Sequence, residues 1–224
     1  MNFVYSTEPK PILLNLMDGF KLFKQSFPDI APFVIAKFCM EIFFAWVEKT
    51  EDQFAIFLVT VIVSCLDLLI LSAIIWSAHE VATGKPISLS SSLKKVSADF
   101  VQLLIGFVIY CIFVLAGLIL FIVPGLVIMI SAYWFVPLIL LDGYSGLESI
   151  KKSRDLCAGY WWKSFATIAI PSVISLAMHH LLTINGQIQD DLKTIVLALL
   201  TTFFVSYLSV LALIHLNELK LRQN

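Results

Sequence analysis

The chain has 224 residues, of which 59% are hydrophobic and 14% charged, with a formal net charge of −1. An average soluble domain is about 45–50% apolar and about 25% charged, so a soluble fold cannot hide this much apolar surface, and lipid must be part of the solvent. There is no basic stripe of the kind a nucleic-acid binder needs, so nucleic acid is not an expected partner.

The first residues, Met1 to Pro11, lack a basic stretch followed by an apolar run, so no cleavable signal peptide is expected. Asn2 stands where myristoylation needs glycine, and no lipid anchor is expected. Residues near 11–27 predict a basic amphipathic helix lying in the membrane interface. Leu13, Leu16, Met17, Phe20 and Phe27 share one face. Lys21 lies at its edge, and Lys24 falls on it and must snorkel to the headgroups.

Transmembrane spans follow near 28–47 and 53–78, since about 20 residues cross a core of about 30 Å. Lys37 and Glu41 lie inside the first, one turn apart on one face, and Asp67 lies inside the second. Antiparallel neighbours bring Lys37 and Asp67 to similar depth. A lone charge at mid-bilayer costs at least about 2.5–3.5 kcal/mol. The expectation is an intramembrane charge cluster in which Lys37 pairs with Asp67, with Glu41 nearby and able to hold a proton. The other reading has Lys37 snorkelling alone to the interface.

A second interfacial helix is predicted near 88–98, with Leu89, Leu93, Val96 and Phe100 on one face and Lys94 and Lys95 beside it. Residues 99–141 are then almost unbroken apolar sequence. As one helix they would span about 64 Å, twice a bilayer core, so the chain must fold back. Pro124-Gly125 is the only turn chemistry present. The expected hairpin joins spans near 99–122 and 125–141 there, with Gly125 at positive φ and the turn buried in protein or in the interface.

A third interfacial helix near 145–160 opens on the capping-box pattern Ser145 to Glu148 and carries Lys151, Lys152 and Arg154, with Cys157 in its basic loop. Tyr160, Trp161 and Trp162 follow at the expected headgroup level. The last spans are predicted near 162–182 and 193–216. Pro137 and Pro171 are expected to kink spans four and five.

Of the 15 Lys and Arg residues, twelve fall on one side of this arrangement. Lys49 and Lys193 fall on the other, and Lys37 is inside a span. The positive-inside rule puts the twelve, and both termini, in the cytoplasm. Phe20-Lys21, Leu93-Lys94 and Ile150-Lys151 each sit on a basic helix just before a membrane hairpin. This rhythm points to three repeats of interfacial helix plus hairpin within an all-α integral membrane fold of six spans. The resulting collar is expected to contact the headgroups of anionic membrane lipids through Lys21, Lys24, Lys94, Lys95, Lys151, Lys152 and Arg154, since each such cation near an anionic surface contributes about 1 kcal/mol.

Catalytic chemistry is not visible. There is no nucleophile elbow, no phosphate-binding loop and no metal-site spacing among Cys39, Cys65, Cys111 and Cys157. His179 and His180 are adjacent and so point to different helix faces, and His79-Glu80 lacks the second His of a zinc motif. No metal and no cofactor is expected. Polar stripes remain: Thr60, Ser64 and Asp67; Ser172, Ser175 and His179; Thr202, Ser206 and Ser209. Small and hydroxyl residues let helices approach and hydrogen-bond. The alternative is a polar path for a solute or a lipid headgroup.

The stretch from Gly117 to Trp162 reads GLILFIVPGLVIMISAYWFVPLILLDGYSGLESIKKSRDLCAGYWW. Its apolar Pro-Gly turn, aromatic span ending in Phe135-Val136-Pro137, Asp142, Leu-x-x-Ile-x-x-Ser helix and Gly-Tyr-Trp resemble the YciC-type family of bacterial inner-membrane proteins of unknown role. The stretch also resembles the membrane domain of some glycerophosphodiester phosphodiesterases. The resemblance covers about a fifth of the chain. It implies a bacterial inner membrane and a six-span fold, and it carries no catalytic residue. Two functions are therefore expected. One is a non-enzymatic scaffold or accessory protein that contacts lipids or a membrane protein partner. The alternative is a small-solute or lipid transporter built on a polar intramembrane cavity.

Overall fold

The computed structural model of the chain describes residues 3, 5–49, 52–85, 87–184 and 190–223. Eight helices and no strand occur among them: α1 (Ile12–Val47), α2 (Gln53–Ala82), α3 (Leu89–Leu120), α4 (Ile122–Ala132), α5 (Phe135–Asp142), α6 (Gly146–Cys157), α7 (Trp161–Ile184) and α8 (Asp190–Gln223). Six segments are long and apolar enough to cross a membrane, with α4 and α5 together forming one of them. Each helix satisfies its own backbone, which is what lipid demands. The chain is an all-α, multi-pass membrane protein.

Three hairpins build it. α1 packs on α2, α3 on α4, and α7 on α8. α8 also packs along α1 and α2, while α6 wedges against α3, α4 and α5. The main core joins Leu22, Ile30, Ile74, Leu103, Ile139 and Leu211, and a smaller one gathers around Trp134, Leu138, Leu156 and Leu216. Both lie towards the basic end of the bundle. The opposite ends of the hairpins are loosely packed, with Phe54, Phe57, Ile119, Leu120 and Leu181 exposed as lipid-facing residues.

The separate interfacial helices near 11–27 and 88–98 need correction. The first is continuous with its span in the 36-residue α1, and the second with its span in the 32-residue α3. No glycine or turn residue separates Phe27 from Pro28 or Ala98 from Asp99. Breaking either helix would strand backbone groups near lipid, and α1 carries Pro28 and Pro32 within it. At 1.5 Å per residue α1 is about 54 Å long, so its basic turns project beyond a core of about 30 Å. Only α6 stands apart, bracketed by Gly143 at φ 72° and Gly159 at φ 83°. Both glycines occupy the left-handed region, which Cβ-bearing residues avoid. Span four is also interrupted. Pro137 has no amide for the Tyr133 carbonyl, and the helix breaks at Tyr133-Trp134.

The reversal between α3 and α4 is not at Pro124-Gly125. It falls on Phe121 alone, in extended backbone at φ −161° and ψ 144°. Pro124 and Gly125 sit in the first turn of α4, where a missing amide costs nothing because the first four amides have no intrahelical partner. Gly125 is not at positive φ. Its role is close approach: a Cβ there would lie 2.6 Å from Leu118 Cγ, and one on Gly117 would lie 2.8 Å from Gly125 Cα. The tip is not buried either, with Phe121 73% exposed and Ile122 and Val123 similar. It tolerates lipid because Phe121 N–H donates to Gly117 O at 2.9 Å and Gly125 N–H to Phe121 O at 3.2 Å. Gly125→Val is expected to force α3 and α4 apart and lower stability by about 1–3 kcal/mol, the usual cost of overpacking. Thermal unfolding in mild detergent measures it. A melting curve matching the parent's would show that the two helices have room to spare.

Candidate functional site

Two arrangements stand out. The first lies within the membrane-spanning part. Lys37, on α1, is 4% exposed. Its Nζ is 2.5 Å from Glu41 Oε1 one turn along the same helix. It is also 2.8 Å from Asp67 Oδ1 on α2 and donates a hydrogen bond to Asp67 Oδ2 at 2.9 Å. The structure therefore brings Lys37, Glu41 and Asp67 together, and Lys37 does not snorkel alone. One cation faces two carboxylates, a surplus of one negative charge when all three are ionised.

Asp67 also lines a half-open groove of about 340 Å³ between α2, α3, α5 and α8. Ser64, Tyr110, Tyr133 and Ser209 contribute polar atoms, but Leu68, Leu71, Phe107 and Phe135 make most of the wall apolar. The hydroxyls of this stripe are largely turned back on their own helices. Thr60 donates to Ile56 O and Ser64 to Thr60 O, each at 2.8 Å, and Ser209 donates to Val205 O at 2.9 Å. Ser172, Ser175, His179 and Thr201 line a separate cavity of about 270 Å³ between α7 and α8.

The second arrangement is the collar, and the structure divides its cations into two groups. Asp18 takes both Lys10 at 2.6 Å and Lys21 at 3.1 Å. Lys95 pairs with Asp99 at 2.7 Å and lies over the Trp76 ring, and Lys220 pairs with Asp142 at 2.6 Å. Lys24, Lys94, Lys151 and Lys152 make no ion pair among the described residues, and Arg154 is only 3.9 Å from Asp155. The apolar neighbours of these free cations are exposed: Leu13, Met17, Phe20 and Phe27 around Lys24, and Leu89 and Leu93 beside Lys94. On α6, Glu148 Oε2 accepts from both Oγ and N–H of Ser145. These bonds hold the Glu148 carboxyl below the usual carboxylate range.

Beneath the collar lies a buried network that sequence reasoning missed. Glu218 on α8 is 3% exposed. It accepts from Asn15 on α1, from Lys163 on α7 and, at 2.8 Å, from Arg222. Lys163 also donates to the Lys10 carbonyl. One turn back, His215 packs at a tilt against Trp134, with ring centroids 4.6 Å apart, and bonds Ser164 at 2.9 Å and Thr167 at 3.2 Å. Trp134 Nε1–H donates to Cys157 Sγ at 3.1 Å. Cys157 is therefore not in a basic loop: it ends α6 at 1% exposure. Burial pushes its thiol up, against the opposing effect of its Ser164 and Trp134 hydrogen bonds.

Among the described residues, no group of three His, Cys, Asp or Glu side chains is placed to hold a metal ion. Residues 50, 51 and 185–189 lie outside the described residues, as does the side chain of Asp190. No family model matches the chain, and no curated protein or solved structure matches it.

Proposed function

We propose that the chain is a non-enzymatic accessory or scaffold protein that gathers anionic lipid, and through it a membrane protein partner, at its basic face. The observation that carries this reading is the set of unpaired collar lysines, Lys24, Lys94, Lys151 and Lys152, set among exposed apolar residues. A solvated lysine on a water-facing surface gains nothing from flanking phenylalanine and leucine. A lysine at the headgroup level gains both a phosphate and an acyl layer. The same charge bias supports a cytoplasmic position for this face and both termini. The resemblance of residues 117–162 to the YciC-type family supports the bacterial inner membrane as the location.

The test is retention of anionic phospholipid by protein purified in mild detergent. Changing Lys24, Lys94, Lys151 and Lys152 together to Gln is expected to weaken retention by on the order of a thousandfold, from about 1 kcal/mol per lysine. Retention by the parent should fall with salt, as the screening length drops from about 10 Å at 0.1 M to about 3 Å at 1 M. Retention unchanged by the four substitutions at low salt would refute the reading.

The Asp67-lined groove favours a second reading, in which a small solute or lipid is moved through the bundle. Its largely apolar wall and the self-bonded hydroxyls make this the weaker of the two. Solute uptake into proteoliposomes that survives Asp67→Asn would count against any path through that carboxylate.

A further inference from the structure

Two apolar grooves open on the basic face, and each has a free cation at its rim. The first, about 700 Å³, runs between α2 and α3 past Leu69, Leu89, Leu93 and Val96, with Lys94 beside it. The second, about 330 Å³, runs between α3, α4 and α6 past Phe113, Ile128, Leu147 and Ile150, with Lys151 and Arg154 beside it. Lys151 and Arg154 are three residues apart on α6 and so share a helix face. Lys94 and Lys151 also occupy matching places in the chain. Each directly follows an apolar residue of a basic helix, Leu93 or Ile150, that lines the same groove. The third such pair, Phe20-Lys21, differs: Asp18 already holds Lys21.

We propose that these grooves are two repeat-related binding sites for single anionic phospholipids, with the acyl chain along the apolar wall and the phosphate on Lys94 in one site and on Lys151 with Arg154 in the other. The inference rests on the lipid reading above and sharpens it, because it assigns binding to two places and withdraws it from Lys21. Charge complementarity selects the occupant. A zwitterionic lipid brings its own ammonium to a rim that is already cationic, whereas an anionic headgroup brings the missing charge. A soluble phosphate meets the cation but leaves the apolar wall unused, and two exposed cations alone hold a phosphate weakly in water.

The experiment uses the full chain in nanodiscs of mixed phosphatidylglycerol and phosphatidylcholine, with bound lipid counted by native mass spectrometry after release. The parent is expected to carry phosphatidylglycerol in excess of its share of the bilayer. Lys94→Gln, and separately Lys151→Gln with Arg154→Gln, should each lower the apparent affinity of one site by about fivefold per lost cation. Lys21→Gln should change nothing. Lys94→Arg and Lys151→Arg should retain binding, which separates lost charge from lost fold, and glycerol phosphate should not compete. If Lys21→Gln lowers retention as much as Lys94→Gln, the collar binds diffusely and the two-site proposal fails while the lipid reading stands. If the parent shows no excess of phosphatidylglycerol, both fail.

Discussion

Replacing Lys37 by methionine is expected to lower stability by about 3–5 kcal/mol, the usual cost of removing one partner from a buried ion pair. The ammonium is the only cation within ion-pair distance of Glu41 and Asp67 among the described residues. Without it two carboxylates face each other across the α1–α2 contact with no counterion, inside a segment where water is scarce. Lys37→Asp and Asp67→Lys alone should each be as damaging, since the first puts three carboxylates together and the second two ammonium groups. Exchanging the charges, Lys37→Asp with Asp67→Lys, should recover part of the loss, because the new pair faces the same way across the same two helices. Unfolding in a mixed detergent and denaturant series measures all four. If the exchanged pair is as poor as the sum of the single changes, the contact is not a pair. A neutral set, Lys37→Met with Asp67→Leu and Glu41→Gln, adds a different reading. Buried ion pairs replaced by well-packed apolar residues are often neutral in stability. Such a variant that folds and retains lipid limits the triad to assembly.

Glu218→Leu is expected to be the second large effect, also about 3–5 kcal/mol. It leaves Lys163 and Arg222 without a carboxylate and Asn15 without an acceptor, and it removes the carboxylate that links α8 to α1 and α7 at their basic ends. The internal control is Lys220→Ala. Its partner Asp142 is on the same face, but both side chains are partly exposed, and exposed pairs contribute about 0–1 kcal/mol. Equal melting temperatures for the two variants would mean that Glu218 is solvated rather than enclosed.

What the chain discloses before it is folded depends on contrast. Lys37, Glu41 and Asp67 stand out because charge is rare inside apolar runs, and the short link between α1 and α2 sets their depths against each other. Glu218 does not stand out. It sits among Asn217, Lys220 and Arg222, where a carboxylate looks like ordinary polar surface, and its partner Asn15 is 203 residues away. The one weak signal was that an asparagine and a glycine, Asn15 and Gly19, fall on the face of α1 opposite its lipid stripe. Pro124-Gly125 misled for a physical reason. Proline suits the first turn of a helix as well as a turn, and glycine serves close packing as well as positive φ. The true reversal uses Phe121, a residue without turn chemistry, because a single extended residue suffices between two helices that already touch at Gly117 and Gly125. The fused α1 and α3 were obscured because amphipathic and fully apolar turns differ in face, not in backbone.

The place of α8 has a consequence for how the protein is made. Spans leave the ribosome in order, and hairpins α1–α2 and α3–α4 can each close on themselves as they enter the membrane. α8 follows all of them, yet it carries the carboxylate that Asn15 and Lys163 need and the imidazole that Ser164 and Thr167 need. Until it arrives, an early helix and a late one both expose unmet polar groups near the basic rim. A nascent chain stalled before Glu218 is therefore marked as incomplete by chemistry at its first helix.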